Sequence, residues 1–219
     1  MKISENIKKY KDELPENVKL VAISKTKPNE DLMEAYEAGQ RIFGENKIQE
    51  MTDKWESLPK DIEWHMVGHV QRNKVKYMAP FVGLIHAVDS LKLLKEINKR
   101  AKNEDRKIKC LIQIKIAEED SKFGISREEA EGILNSDVYK KMENTAVVGL
   151  MGMATFTEDE NQVKSEFLKL KGIFDDFKEK YPSIKELSMG MSGDYKIAVE
   201  CGSTMVRIGS SIFGERNYN

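Results

Sequence analysis

Cysteine is scarce in this chain of 219 residues, which has two, Cys110 and Cys201. Two cysteines over this length do not build a disulfide framework, and neither sits at metal-ligand spacing. Cys110 lies in an apolar run and reads as core, and the usage fits a reducing cytoplasm. Histidine is nearly as scarce. His65, His69 and His86 lack the spacing of a metal site and supply no Ser/His/Asp order. No apolar stretch approaches 18 residues, which argues against a membrane span. The segment Met1 to Leu14 is charged and amphipathic and has no apolar h-region, so it does not read as a secretory signal. Net charge is also missing. Charged residues make up 33% of the chain, yet they balance to −1. A balanced surface carries no electrostatic footprint for nucleic acid or an anionic membrane. The expected partner is a small molecule or another protein. No linker, low-complexity segment or charge block marks a boundary, so residues 1–219 read as one domain, long enough to bury a substantial core.

What the chain does have is alternation. Ile3, Ile7, Tyr10 and Leu14 step at helical spacing and open it with an amphipathic helix. Eight short apolar segments follow: VKLVAIS (18–24), RIFGE (41–45), EWHMVG (63–68), GLIHAVD (83–89), KCLIQIKIA (109–117), AVVGLMGMA (146–154), ELSMG (186–190) and MVRIG (205–209). Helical segments separate them. One begins near Asn29 and stops at Gly39, and another runs from about Asn46 to Leu58. A short one begins near Gln71, and Ser90 opens the next. Ser126-x-x-Glu129 and Thr157-x-x-Glu160 read as capping boxes. Behind the second, Val163, Phe167, Leu170, Phe174, Phe177 and Tyr181 hold one helical face, with Pro182 after it. Strands apolar on both faces belong in a parallel sheet covered by helices. Eight βα units predict an α/β protein, a single (β/α)₈ TIM-type barrel with an extra N-terminal helix. An open doubly wound sheet is the alternative if one strand is miscounted.

In such a barrel, ligands bind where the strands end. Polar residues gather at those ends: Ser24-Lys25-Thr26-Lys27, Gly44-Glu45-Asn46, His65 with Gly68-His69, Thr155, Gly190-Met191-Ser192-Gly193, and Arg207 with Gly209-Ser210-Ser211. Lys25 shares strand parity with Val21 and Ile23, which suit either the barrel interior or the helix layer. Turned inward, its amine is partly desolvated and nucleophilic, as Schiff-base chemistry requires. Turned outward, it is a rim lysine reaching to water. Lys27 is a weaker candidate. The small-residue loops around Ser192 and around Gly209 and Ser210 follow the two strands that hold phosphate in many barrels, although Gly and Ser also fill any tight turn. Ser192 is placed to cap the short helix after it. Arg207 interrupts an apolar strand and needs a partner, either an acid such as Glu45 or Glu200 or a ligand atom. The residues alone describe a barrel with an anion site, a rim lysine and an interior arginine.

The segments VAISKTKP (21–28), FGENKIQE (43–50), WHMVGHVQRNK (64–74), LIQIKIAEEDSKFGI (111–125), GLMGMA (149–154), LSMGMSGDY (187–195) and GSTMVRIGSSIFGER (202–216) carry a resemblance over nearly the whole chain. It resembles the pyridoxal phosphate homeostasis protein family, stand-alone relatives of the alanine racemase N-terminal barrel. The resemblance implies that pyridoxal 5′-phosphate (PLP) is held as a Schiff base on Lys25. It implies a phosphate pocket at Ser192, Gly209 and Ser210, with Arg207 facing the pyridine nitrogen. Asn46 and His65 are implied to line the cofactor. Val70 and Gly193 stand where the family often has leucine and aspartate. Racemases add a C-terminal β-domain that supplies a tyrosine, and the sequence ends at Asn219, nine residues past Ser210. The expectation is therefore a cytoplasmic monomer that takes part in vitamin B6 homeostasis, without established catalysis and without a metal. PLP-dependent apoenzymes are its expected protein partners. A racemase of low activity is the alternative.

Overall fold

In a computed structural model, which describes residues 2–118 and 123–214, eight parallel strands close into a barrel in the order β1 to β8. The strands are β1 (Lys19–Ile23), β2 (Ile42–Glu45), β3 (Glu63–Met66), β4 (Leu84–Val88), β5 (Ile108–Gln113), β6 (Thr145–Met151), β7 (Glu186–Met191) and β8 (Met205–Ile208). Closure is made by β8 on β1, which sets Val21 opposite Arg207. The expected fold class is the observed one. The helices are α1 (Ile3–Glu13), α2 (Asn29–Glu37), α3 (Ile48–Ser57), α4 (Val75–Met78), α5 (Leu91–Asn103), α6 (Arg127–Asn135), α7 (Asp137–Lys140), α8 (Glu160–Lys180), α9 (Tyr195–Glu200) and α10 (Ser210–Phe213). The extra helix α1 packs against α2 and α10, and its Asn6 side chain donates to the Ile212 carbonyl at 3.0 Å.

Two apolar layers result. The large one lies between strands and helices and takes the outward residues, such as Ala22, Phe43, Trp64, Leu150 and Val206. Into it α8 buries Val163, Phe167, Leu170, Phe174 and Phe177, as their spacing predicted. Each phenylalanine taken from water contributes about 1.5–3 kcal/mol. The small layer fills the barrel with Val21, Leu84, Leu111, Met151 and Met205, against which Ile23 packs. Val21 and Ile23 thus face inward, which settles the parity left open for β1.

Helix starts follow side-chain chemistry. Ser126 and Glu129 form the predicted capping box on α6. The second predicted box is not formed: α8 begins at Glu160, and Asp159 caps it by accepting from the Asn161 and Gln162 amides. Asp159 wins because its carboxylate reaches two amides at once. Gly39 takes φ 89° after α2, which a glycine adopts without steric cost. Residues 119–122 of the 111–125 segment and 215–216 of the 202–216 segment lie outside the described residues. Among the described residues no helix is long and apolar enough to cross a membrane.

Candidate ligand cavity at the barrel mouth

A cavity of about 690 Å³ opens at the C-terminal ends of the strands, within the size range of small-molecule sites. Lys25, Asn46, Ser192, Arg207, Gly209 and Ser210 all line it. Of the residues expected at a cofactor, only His65 is elsewhere: it is buried deeper in the barrel and does not reach the cavity lining. As the third residue of a four-residue strand, it sits well below the rim, and Val67 and Gly68 occupy the rim instead.

Lys25 is half-buried in the turn after β1, next to Thr26 at φ 64°. A buried charged cluster holds that turn from behind. Lys54 of α3 donates to the Ser24 carbonyl at 2.7 Å, to Glu45 Oε1 at 2.7 Å and to Glu50 Oε1 at 2.8 Å. The Thr26 amide donates to Glu50 Oε1 at 2.5 Å, and the Ser24 hydroxyl donates to Glu45 Oε1 at 2.6 Å. Both neighbours of Lys25 are thereby fixed. Burial raises the Glu45 pKa, and the Lys54 charge opposes that rise. Lys27, the weaker candidate, is half-buried in the cavity wall and donates to the Phe213 carbonyl at 2.8 Å. Asn46 is exposed at the end of β2, and Gly68 passes so close that a Cβ there would lie 2.4 Å from the Asn46 carbonyl oxygen.

Arg207 is buried, and neither Glu45 nor Glu200 pairs with it. Its Nη1 donates to Ser188 Oγ at 2.7 Å and its Nη2 to the Gly152 carbonyl at 3.2 Å. Glu45 faces the helix layer and is taken by Lys54, because its parity on β2 is outward. Burial lowers the Arg207 pKa to about 10, tempered by the Asp194 charge, so the guanidinium stays protonated at neutral pH. Ser192 does not cap α9: its hydroxyl accepts from the Gly209 amide at 3.2 Å and ties the β7 loop to the β8 loop. Asp194 stands at the start of α9 and accepts from the Met191 amide at 2.6 Å.

Gln113, Phe123 and Asp194 line the cavity without having stood out from the sequence, and His69, noted at the end of its strand with no role, lines it too. Gln113 is buried and donates to the Phe123 carbonyl at 3.0 Å. Its inward parity with Leu111 was the available signal. His69 stacks on Phe123 with ring centroids 5.3 Å apart, a contact between separate loops that no local pattern announces. Thr155 is anchored from α8, where Glu166 accepts from its amide at 2.6 Å and its hydroxyl at 2.7 Å.

A closed parallel barrel whose mouth gathers an amine, a buried guanidinium and two joined small-residue loops is a (β/α)₈ barrel with a small-molecule site at its C-terminal end. The family of the alanine racemase N-terminal domain matches residues 1–217. The pyridoxal phosphate homeostasis protein of Vibrio alginolyticus is 39% identical over 210 residues, covering 94% of this chain and 89% of that protein. The human protein of the same name is 41% identical over 214 residues, covering 92% of this chain and 78% of its own length. The chain belongs to the pyridoxal phosphate homeostasis protein family. Among solved structures, Synechococcus elongatus PipY with PLP bound superposes with a TM-score of 0.88 at 31% identity, covering 97% of this chain and all of PipY. Alanine racemase from Clostridium difficile shares the fold, with a TM-score of 0.81 at 16% identity, over all of this chain and 61% of that one.

Proposed function

We propose that the chain binds PLP in the barrel-mouth cavity as a Schiff base on Lys25, and that it serves PLP homeostasis rather than catalysis. The observation that carries this reading is the shared lining: the Lys25 amine, the buried Arg207 guanidinium and the Ser192, Gly209 and Ser210 loops border one cavity. The donor set fits the group. An amine matches an aldehyde, and small residues with a hydroxyl and backbone amides match a phosphate. Bound PLP supplies an aldehyde and an electron-withdrawing pyridine ring. Lys25 Nζ would hold the aldehyde carbon through a C=N bond, with loss of one water. Arg207 keeps its proton, so facing the ring nitrogen it would donate a hydrogen bond and would keep the ring unprotonated, a weaker electron sink. Asn46 borders the same space, and His65 acts from beneath it.

The names of the homologues and the PLP-bound relative support the cofactor and the homeostatic role. The reading takes residues 1–219 as one PLP-binding domain, acting as a cytoplasmic monomer whose protein partners are PLP-dependent apoenzymes. The test is intact mass before and after borohydride, which reduces the C=N bond and fixes the cofactor, followed by peptide mapping. The expected label is on Lys25. A Lys25→Ala variant that still fixes one equivalent of PLP overturns the assignment.

A further inference from the structure

A chain of buried polar side chains runs through the barrel from its N-terminal end to the cavity. Glu63, half exposed at the start of β3, lies 3.1 Å from His65 Nε2. His65 Nδ1 is 3.0 Å from His86 Nε2. His86 Nδ1 is 2.9 Å from Ser188 Oγ, which accepts from Arg207 at 2.7 Å. His65, His86, Ser188 and Arg207 are all buried, and they come from β3, β4, β7 and β8. A barrel interior is ordinarily filled by branched apolar side chains. Four polar groups in series there demand an account of their protons.

The ends decide it. An ionised carboxylate only accepts, and a guanidinium only donates. The hydrogen bond from His65 holds the Glu63 pKa down, and burial holds both imidazoles neutral. His65 must then carry its hydrogen on Nε2, facing Glu63. Its bare Nδ1 accepts from His86 Nε2–H, and the bare Nδ1 of His86 accepts the Ser188 hydroxyl hydrogen. Both lone pairs of Ser188 are left for Arg207. All four links point from Arg207 towards Glu63, and every donor is used once. The opposite tautomers would set a bare His65 nitrogen against the carboxylate.

We propose that Glu63, His65, His86 and Ser188 form one hydrogen-bond chain of fixed polarity that positions Arg207 at the cavity floor from the opposite end of the barrel. They are positioning residues and do not touch the ligand. The hydrogen-bond acceptor that Glu63 supplies then orders every link up to the cavity. Lys19, Lys109 and Glu186 stand around the Glu63–His65 end, and Arg207 itself faces His86. The effect on PLP rests on the reading above, whereas the polarity does not.

The test begins with imidazole ¹⁵N NMR of the ligand-free full chain at neutral pH. His65 and His86 should each show one protonated nitrogen, Nε2, and one bare nitrogen, Nδ1. A cationic ring or an Nδ1–H tautomer at either residue overturns the chain's polarity. Glu63→Gln keeps an oxygen that accepts and should preserve the His65 tautomer. Glu63→Leu removes the acceptor and should give mixed tautomers. PLP affinity, read from absorbance, should fall roughly threefold or more in Glu63→Leu and stay near the parent value in Glu63→Gln. Equal affinities in all three proteins overturn the positioning role. A parent chain that takes up no PLP sinks the cofactor reading and leaves the NMR result standing.

Discussion

His65 and His86 are held neutral by burial, with folded pKa values below 6.5. Unfolded, each returns to about 6.5. Between the folded and unfolded values the unfolded chain binds more protons, so stability rises with pH through that window. It is full above 6.5 and lost as the pH falls below it, at up to about 1.4 kcal/mol per pH unit for each residue. Glu63 acts in a different window. Its folded pKa lies below 4.5, so its contribution is lost only below that value. Urea midpoints should therefore fall between pH 7 and pH 5, and His86→Asn, which cannot titrate, should show a shallower slope. A profile flat over that range contradicts the neutral pair. Local sequence could not reveal the pair. His86 meets Ser188 across 102 residues, and its own neighbours are apolar. Arg207 was legible as an anomaly because a charge interrupts an apolar strand, but its partners were not, since they come from β7 and from the backbone of Gly152.

The strand-to-helix loops are fixed by side chains from helices, a device visible only at the scale of elements. Lys54 reaches from α3 to the turn carrying Lys25, and Glu166 reaches from α8 to Thr155. Lys54 and Glu45 are both buried, and Glu45 Oε2 has no hydrogen-bond partner among the described residues. Removing one partner strands the other charge. Lys54→Met should cost about 3–5 kcal/mol. Glu45→Leu with Lys54→Met should recover most of that, because the uncompensated carboxylate goes as well. Denaturant midpoints of the two singles and the double measure this coupling. The double variant still lacks the bond to the Ser24 carbonyl, so borohydride-trapped PLP should accumulate more slowly on Lys25. A trapping rate equal to that of the parent would remove Lys54 from any role in holding the turn. Period and punctuation made all eight strands and the long helices legible. Ends were less so: the apolar runs 109–117 and 146–154 continue past β5 and β6, since Ile114, Ile116 and Ala154 stay buried in the loops that follow. The four-residue helices α7 and α10 are too short to show a period.

Closure of the barrel brings the first and last strands together. Pairing of β8 with β1 sets Val21 beside Arg207, and Lys25 and Ser210 then border one cavity. Alternation along each strand predicted which residues face inward, while the assembly of the cavity depended on eight strands closing in order. The same barrel in Clostridium difficile alanine racemase, at 16% identity, establishes shared architecture and no shared chemistry. Chemistry must come from the lining. Racemisation removes a proton from one face of Cα and returns one to the other, so it needs an acid–base group on each face. On the proposed reading the Lys25 amine would serve one face, and a group for the other would have to come from lining residues such as Lys27, His69 or Asp194. On the same reading, Arg207 beside the pyridine nitrogen would weaken the ring as an electron sink, which would further disfavour loss of the α-proton. With PLP loaded, exchange of the α-proton of alanine or serine in deuterated water should run no faster than with free PLP at the same concentration. Exchange tenfold above that level, abolished by Lys25→Ala, would make the chain a catalyst and overturn the homeostatic reading. Exchange unchanged by Lys25→Ala would belong to released cofactor, and the barrel would remain a holder of PLP.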